Sequence, residues 1–284
     1  MLIEEADKIS EELWNKDAGS WNTYWAPIFQ RFAHDLVSEA RISTGHIVLD
    51  IGTGTGIAAI EASKRVRPGG IVLGIDRSAP ILAFAEANLA KLKNVCFFKM
   101  NSDRMTFREE LFDAVISNCG ISYPVFPQTI AEAFRVLRKG GSFTFSDWHL
   151  IDVPAHRRFS EILQKYRTDH PSKKLTARRT AISMIEHTGN LYTSSETQTK
   201  ELQRVGFTNV KFNQRRYTIK LPSVRAYLAM RLEREALRQE LHELSGLQRN
   251  QFMTALKIGL KPFVRNKFFI IDWRVAFTHA DKER

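Results

Sequence analysis

The run Val48-Leu49-Asp50-Ile51-Gly52-Thr53-Gly54-Thr55-Gly56 constrains this 284-residue chain more than any other segment. An apolar stretch carrying an acid near its end reads as a buried strand, and the glycines read as the turn that leaves it. Glycine tolerates positive φ and lets a ligand approach the backbone closely. Ile57 to Ala62 then reads as the first turns of a helix, whose free N–H groups face the same turn. Strand, glycine turn and helix together build a nucleotide site at the carboxyl edge of a parallel sheet. The order is D-x-G-x-G-x-G. It is neither the G-x-G-x-x-G of dinucleotide folds nor a P-loop, which ends in Gly-Lys-Ser/Thr.

Four more strands follow with the same grammar. Ile71 to Ile75 is apolar and ends in Asp76, about 20 residues past the glycines, where an acid accepts from ribose hydroxyls. Arg77 stands beside it, and Ser78 reads as the N-cap of the next helix. The bland alternative is that Asp76 only caps that helix. Val95 to Met100 runs into Asn101-Ser102-Asp103-Arg104, and Phe112 to Asn118 runs into Cys119-Gly120-Ile121. Ile130 to Leu137 reads as an amphipathic helix ended by Lys139-Gly140-Gly141, with glycine as its left-handed cap. Ser142 to Trp148 is the fifth strand.

The D-x-G-x-G-x-G run resembles motif I of the class I S-adenosyl-L-methionine (SAM) dependent methyltransferases, matching at the acid and at all three glycines. The resemblance implies that Asp50 reads the amino end of SAM, and that Gly52, Thr53, Gly54 and Gly56 make room for its amino-acid part. It implies that Asp103, with Asn101 and Ser102, meets the adenine, although Arg104 stands where a small residue is usual. It also puts Asn118, at the tip of the fourth strand, beside the transferred methyl. The Asp/Asn-Pro-Pro-aromatic motif of nucleic-acid amino-methyltransferases is missing there, which counts against that chemistry. Arg135 to Gly141 is similar to the family's "RVLKPGG" segment. Ala18-Gly19-Ser20-Trp21, followed by Tyr24-Trp25, is similar to the "A-x-x-Tyr" segment of the ubiquinone/menaquinone-type methyltransferases. That similarity implies an N-terminal helix closing over SAM, with Trp21 or, in its stead, Tyr24 touching the cofactor. Val115 to Cys119 also resembles a strand of arsenite methyltransferases. Those enzymes hold arsenic with several cysteines, and this chain has two, Cys96 and Cys119.

The expected architecture is α/β: a Rossmann-like, seven-stranded, mostly parallel sheet with one reversed strand, helices on both faces, and helical lid insertions. Residues 1–45 read as an N-terminal helical cap, 46–150 as the SAM-binding core and 151–193 as an insertion. Residues 194–284 complete the sheet around a helical lid at about 222–264. Within them, Glu201 to Phe212 is similar to the family's "ELLEEAGF" helix and the entry to strand six, placed at about 210–221. Phe268 to Phe277 is the reversed strand. Leu237, Leu241 and Leu244 share a helical face, and two helices are expected, 222–245 and 247–260. A dimerisation arm is the alternative to a lid.

Charge is unevenly placed. Residues 1–150 hold 16 Lys/Arg against 18 Asp/Glu, and residues 151–284 hold 26 against 13. The basic half, densest at Arg157-Arg158, Lys173-Lys174, Arg178-Arg179 and Arg215-Arg216, suggests an anionic small molecule, RNA or an acidic membrane surface, unless it is simply a solvated face. No apolar run reaches the roughly 18 residues of a transmembrane helix. The acidic N-terminus has no signal-peptide pattern, and two cysteines make no disulfide framework, so a cytoplasmic protein is expected. No metal site is indicated.

These readings converge on a SAM-dependent methyltransferase that releases S-adenosyl-L-homocysteine (SAH). Its acceptor is read as small and either anionic or quinone-like. RNA or protein docked on the basic half is the alternative, and a SAM-binding protein without catalysis is a third reading. Oligomeric state is open. His149 and Asp147, at the end of the fifth strand, and Tyr123, after the fourth, are the positional candidates for a general base, should the acceptor have to lose a proton.

Overall fold

The computed structural model describes residues 3–147, 153–192 and 194–283. The chain opens with α1 (Ile3–Ser20), a π-helical turn (Trp21–Trp25) and α2 (Ala26–Glu39). The core alternates β1 (Ile47–Ile51), α3 (Ile57–Arg65), β2 (Ile71–Asp76), α4 (Ala79–Leu89), β3 (Val95–Lys99) and β4 (Phe112–Asn118). A short 3-10 turn (Tyr123–Val125) leads into α5 (Phe126–Val136) and β5 (Leu137–Asp147). Beyond it come α6 (Pro154–Tyr166), α7 (Lys173–Leu191), α8 (Ser195–Val205) and β6 (Thr208–Leu221). The chain ends through α9 (Val224–Leu232), α10 (Glu235–His242), α11 (Gly246–Gly259), β7 (Val264–Arg265) and β8 (Phe268–Asp281).

The strand order is β3-β2-β1-β4-β5-β8-β6. The first five strands pair in parallel, and β8 runs antiparallel between β5 and β6. β1 and β4 are buried almost throughout, because helices cover both faces of a parallel centre. The reversed strand sits where the sequence places it. The sheet has eight strands rather than seven, since Val264 and Arg265 form a short β7 against the start of β8. Lys139-Gly140-Gly141 lies inside β5 instead of capping a helix. Gly140 takes φ +81 there and donates its N–H to Lys282 O, which bends the strand without breaking it.

Two apolar layers sandwich the sheet. One gathers α2, α3, α6, α9 and α11 around Trp273, whose ring meets Trp25, Phe29 and Phe32 edge-on at 6.3, 5.4 and 5.5 Å. The other packs α5 and α8 on Phe112, Phe143 and Phe145. Residues 173–191 form a continuous helix, and the expected 222–245 helix is broken between α9 and α10 at Glu233-Arg234. Arg234 turns inward there, with Nε 2.7 Å from Asp17 and its guanidinium 4.7 Å from the Trp14 ring. A half-buried cation held by a carboxylate and an aromatic face fixes the chain at that bend. Of the helices in residues 222–264, α10 packs on α1, α9 on β6 and β8, and α11 on α6.

Candidate active site

The strand order reverses between β1 and β4, and the carboxyl ends of the strands open a crevice at such a point. A cavity of about 220 Å³ lies there. Its base is the glycine turn. Gly52 has φ +62, and a Cβ on it would fall 2.4 Å from Gly120 O, so the turns after β1 and β4 touch backbone to backbone. Gly54 also has positive φ and faces the Trp21 indole, whose Nε1 would stand 3.7 Å from an added Cβ. No side chain intrudes between turn and ring, which leaves a cradle for an extended ligand.

Asp76 clasps this turn. Gly54 N–H donates to its Oδ2 at 3.0 Å and Ser78 N–H to its Oδ1 at 2.9 Å. Burial raises its pKa, and those two N–H groups and Arg77 oppose the rise. Arg77 lines the cavity and reaches across to α1, with Nη1 2.7 Å from Asp7 Oδ1 and Nη2 3.1 Å from Ser10 Oγ. Asp7, Ser10 and Trp14 recur on one face of α1 and form a wall of the cavity. Ser122 Oγ, past the tip of β4, also donates to Asp7 Oδ1, at 3.4 Å.

Asn101, Ser102 and Asp103 line the cavity beyond β3. Ser102 Oγ is paired with Thr129 Oγ1 at 2.8 Å, whereas among the described residues Asp103 has only a distant charge contact to Arg104 at 3.9 Å. At the tip of β4, Asn118 donates to Phe29 O at 3.3 Å and accepts from Ser146 Oγ at 2.9 Å. Cys119 lies next to it at φ +54, a left-handed conformation that a non-glycine residue adopts at some cost. Burial pushes its thiol pKa far up, so the thiol keeps its proton.

Tyr123 lines the same cavity, and its hydroxyl donates to Asp147 Oδ1. Asp147 Oδ2 accepts from Gln198 Nε2 at 3.0 Å, and Gln198 Oε1 accepts from Thr278 Oγ1 at 2.9 Å. The four side chains are almost completely buried. Burial and the Asp147 charge push the Tyr123 hydroxyl far above its ordinary pKa, so the phenol keeps its proton.

The expected cofactor residues are thus mostly brought together, with three departures. Asp50 does not line the cavity: it is fully buried beneath the turn and accepts from Thr53 Oγ1 at 2.7 Å. Burial raises its pKa to about 7, Thr53 and the Ala59 N–H lower it, and the Asp76 charge raises it. Gly56 packs against Leu89 outside the lining, where a Cβ would fall 2.7 Å from Leu89 Cδ1. Tyr24 packs on the apolar core, and of the two aromatics it is Trp21 that reaches the cavity. His149 lies outside the described residues. The lining takes Ile185 of α7 but nothing described from 222–264.

The sequence reading missed Asp7, Ser10 and Ile185, whose residue types carry no signal of their own. Arg77 was the available hint, a cation at a strand tip in need of an acid. One basic cluster, Arg178-Arg179, turns inward as well. Arg178 is 4% exposed and 3.5 Å from Glu235, and Arg179 grips Glu240 with two hydrogen bonds at 2.9 and 2.7 Å. Among the described residues no cluster of His, Cys, Asp or Glu could hold a metal.

A methyltransferase-domain family model matches residues 42–197, more than half of the chain. The ubiquinone/menaquinone biosynthesis C-methyltransferase UbiE of Blochmanniella floridana is 31% identical over 119 residues, 40% of this chain and 47% of that protein. The arsenite methyltransferase of Halobacterium salinarum is 33% identical over 111 residues, 38% of this chain and 28% of that protein. The matched region therefore spans less than half the length of these curated relatives. Among solved structures, phosphoethanolamine N-methyltransferase 2 of Haemonchus contortus with SAM superposes with a TM-score of 0.53 at 18% identity, covering 96% of this chain and 57% of that one. A likeness at that identity speaks for the fold. Taken with the glycine turn and the strand-tip acids, the family match shows that this chain belongs to the class I SAM-dependent methyltransferases.

Proposed function

We propose that this protein moves the methyl group of SAM to a nucleophilic atom of a small, quinone-like or anionic molecule by in-line displacement. One observation supports a small acceptor above all. The cavity is walled by α1 on the side facing the strand tips, which suits an enclosed molecule better than a polymer. The residues also fit the cofactor. In this reading Asp76 accepts from the ribose, Asn101 to Asp103 meet the adenine, and the Gly52–Gly54 cradle takes the amino-acid arm, all of them lining one cavity. Asp50 serves by holding Thr53 and the turn in shape. When bound, SAM supplies an electrophilic sulfonium methyl.

The protein's own task is alignment and dryness. Holding the acceptor in line contributes about 7–11 kcal/mol in favourable cases. Trp14, Trp21 and Phe29 line the cavity and exclude water. If the acceptor must lose a proton, Tyr123 takes it while passing its own to Asp147, whose other oxygen Gln198 holds. The alternative reading, RNA or protein on the basic half, loses the Arg178-Arg179 cluster to internal pairs. Cys119 is the single cysteine lining the cavity, because Cys96 is exposed on β3, and this disfavours arsenic chemistry.

The test is transfer of labelled methyl from SAM to a demethylated quinol, run beside RNA. For an acceptor that must lose a proton, Tyr123→Phe lowers kcat by about 10²–10⁴-fold while sparing SAM affinity. RNA-dependent transfer with an inert quinol would reverse the assignment.

A further inference from the structure

Residues 244–271 contain no acid and carry Arg249, Lys257, Lys261, Arg265 and Lys267. In the fold they end in a projecting tip. Beyond α11 the chain makes a 3-10 turn, Lys261–Phe263, and then the β7–β8 hairpin. Arg265 pairs with Phe268 across a two-residue turn, Asn266 (φ +48) and Lys267 (φ +70). Both turn residues are left-handed, the geometry for which Asn-Gly is favoured. A lysine in the glycine position is strained, and it carries its ammonium group at the extreme end of the hairpin.

Three large apolar side chains stand exposed among these cations: Ile258 at 62%, Val264 at 40% and Phe268 at 45%. Lys257, Lys261, Arg265 and Lys267 are exposed as well, and none has an ion-pair partner among the described residues. The tip is firmly seated. Phe269 stacks on Tyr227 with ring centroids 4.4 Å apart, and Leu260 is fully buried. Exposed apolar side chains on a rigid, acid-free base differ from a merely solvated basic face.

The position of the tip matters equally. Asp147, the last residue of β5, pairs with Ala276. Residues 268–275 of β8 continue past that pair, roughly 25 Å at strand rise, beyond the carboxyl end of β5. The active-site cavity opens at the same carboxyl edge of the sheet.

We propose that this tip docks the protein on an anionic phospholipid surface, with Ile258, Val264 and Phe268 entering the headgroup–acyl boundary and Lys257, Lys261, Arg265 and Lys267 meeting lipid phosphates. Cations around a small apolar wedge are the chemistry of interfacial binding. A nucleic acid would instead call for flat stacking platforms, which Ile258 and Val264 do not offer. No helix among the described residues is long and apolar enough to cross a membrane, so the contact is with the surface. Docking brings the cavity's edge to the phase where a quinone-like acceptor dissolves. That last consequence rests on the proposed function, and the docking itself does not.

The test is flotation of the full chain with vesicles of phosphatidylcholine alone and of phosphatidylcholine with phosphatidylglycerol, with SAM affinity measured in parallel. The protein partitions onto the anionic vesicles. The triple variant Ile258→Ser, Val264→Ser, Phe268→Ser and, separately, Lys261→Glu with Lys267→Glu each weaken partition by about ten-fold or more, with SAM affinity unchanged. Absence of vesicle binding, or binding indifferent to both variants, overturns the proposal. So does tighter binding to single-stranded oligouridylate lost in the same variants, or a dimer through the tip. Failure of wild-type protein to bind SAM would strike the functional reading instead and leave the vesicle result standing.

Discussion

Asp50 and Asp76 are both strand-end acids, yet their surroundings give them different work. Asp76 sits at the cavity, where its two oxygens already accept backbone N–H groups from Gly54 and Ser78, so it holds the turn while facing the cavity. Asp50 lies beneath, with a pKa raised from 3.8 to about 7 by burial. An acid whose folded pKa lies above its unfolded value binds more protons folded than unfolded between those values. Stability therefore falls as pH rises from about 4 to about 7. Asp50→Asn keeps an acceptor for Thr53 and flattens that slope, read from urea midpoints across the range. A slope identical to the wild type's would contradict the burial argument. Glycine spacing and the position of an acid at a strand end are legible in sequence. Which of two acids reaches the ligand is not, because it depends on whether a side chain points above or below the turn.

α1 and its contacts show how an element acquires a role that its own residues do not announce. Asp7, Ser10 and Trp14 have the helical spacing of any half-solvated face, and they become a cavity wall because Arg77 and Ser122 bind Asp7 from two sides. Arg77→Ala removes the larger of those ties. A partly buried pair of this kind is worth about 1 kcal/mol. SAM should then dissociate about five-fold faster, and amide exchange in residues 3–20 should rise. Unchanged rates in both would mean that α1 is held elsewhere. The same limit applies to the expected lid. Leu237 and Leu244 are buried and Leu241 is half-buried, but Leu244 lies just past the end of α10, and periodicity says nothing about what covers such a face. Here Arg234, half-buried against Asp17 and Trp14, marks the bend that brings α10 onto α1.

Across the whole molecule, the five parallel strands and the reversed strand were legible because each is a contiguous apolar run between glycine-rich or polar breaks. Charge was legible as a total and misleading as a map. Arg178 and Arg179 brace α7 to α10 through Glu235 and Glu240, and Arg215 ties β6 to Asp35 and Glu39 of α2. Arg178→Glu with Arg179→Glu therefore costs about 3–5 kcal/mol of stability, seen as a lower denaturant midpoint, because it leaves buried carboxylates facing new ones. An unchanged midpoint would return that cluster to the surface. The central claim is that the cavity at the β1–β4 crevice holds SAM through Asp76. Calorimetric titration of SAM and SAH into the wild-type chain and into Asp76→Ala tests it most directly. One site that binds both ligands, weakened about 10–100-fold in the variant, is the predicted result. No binding to the wild type, or equal binding to both proteins, would contradict it.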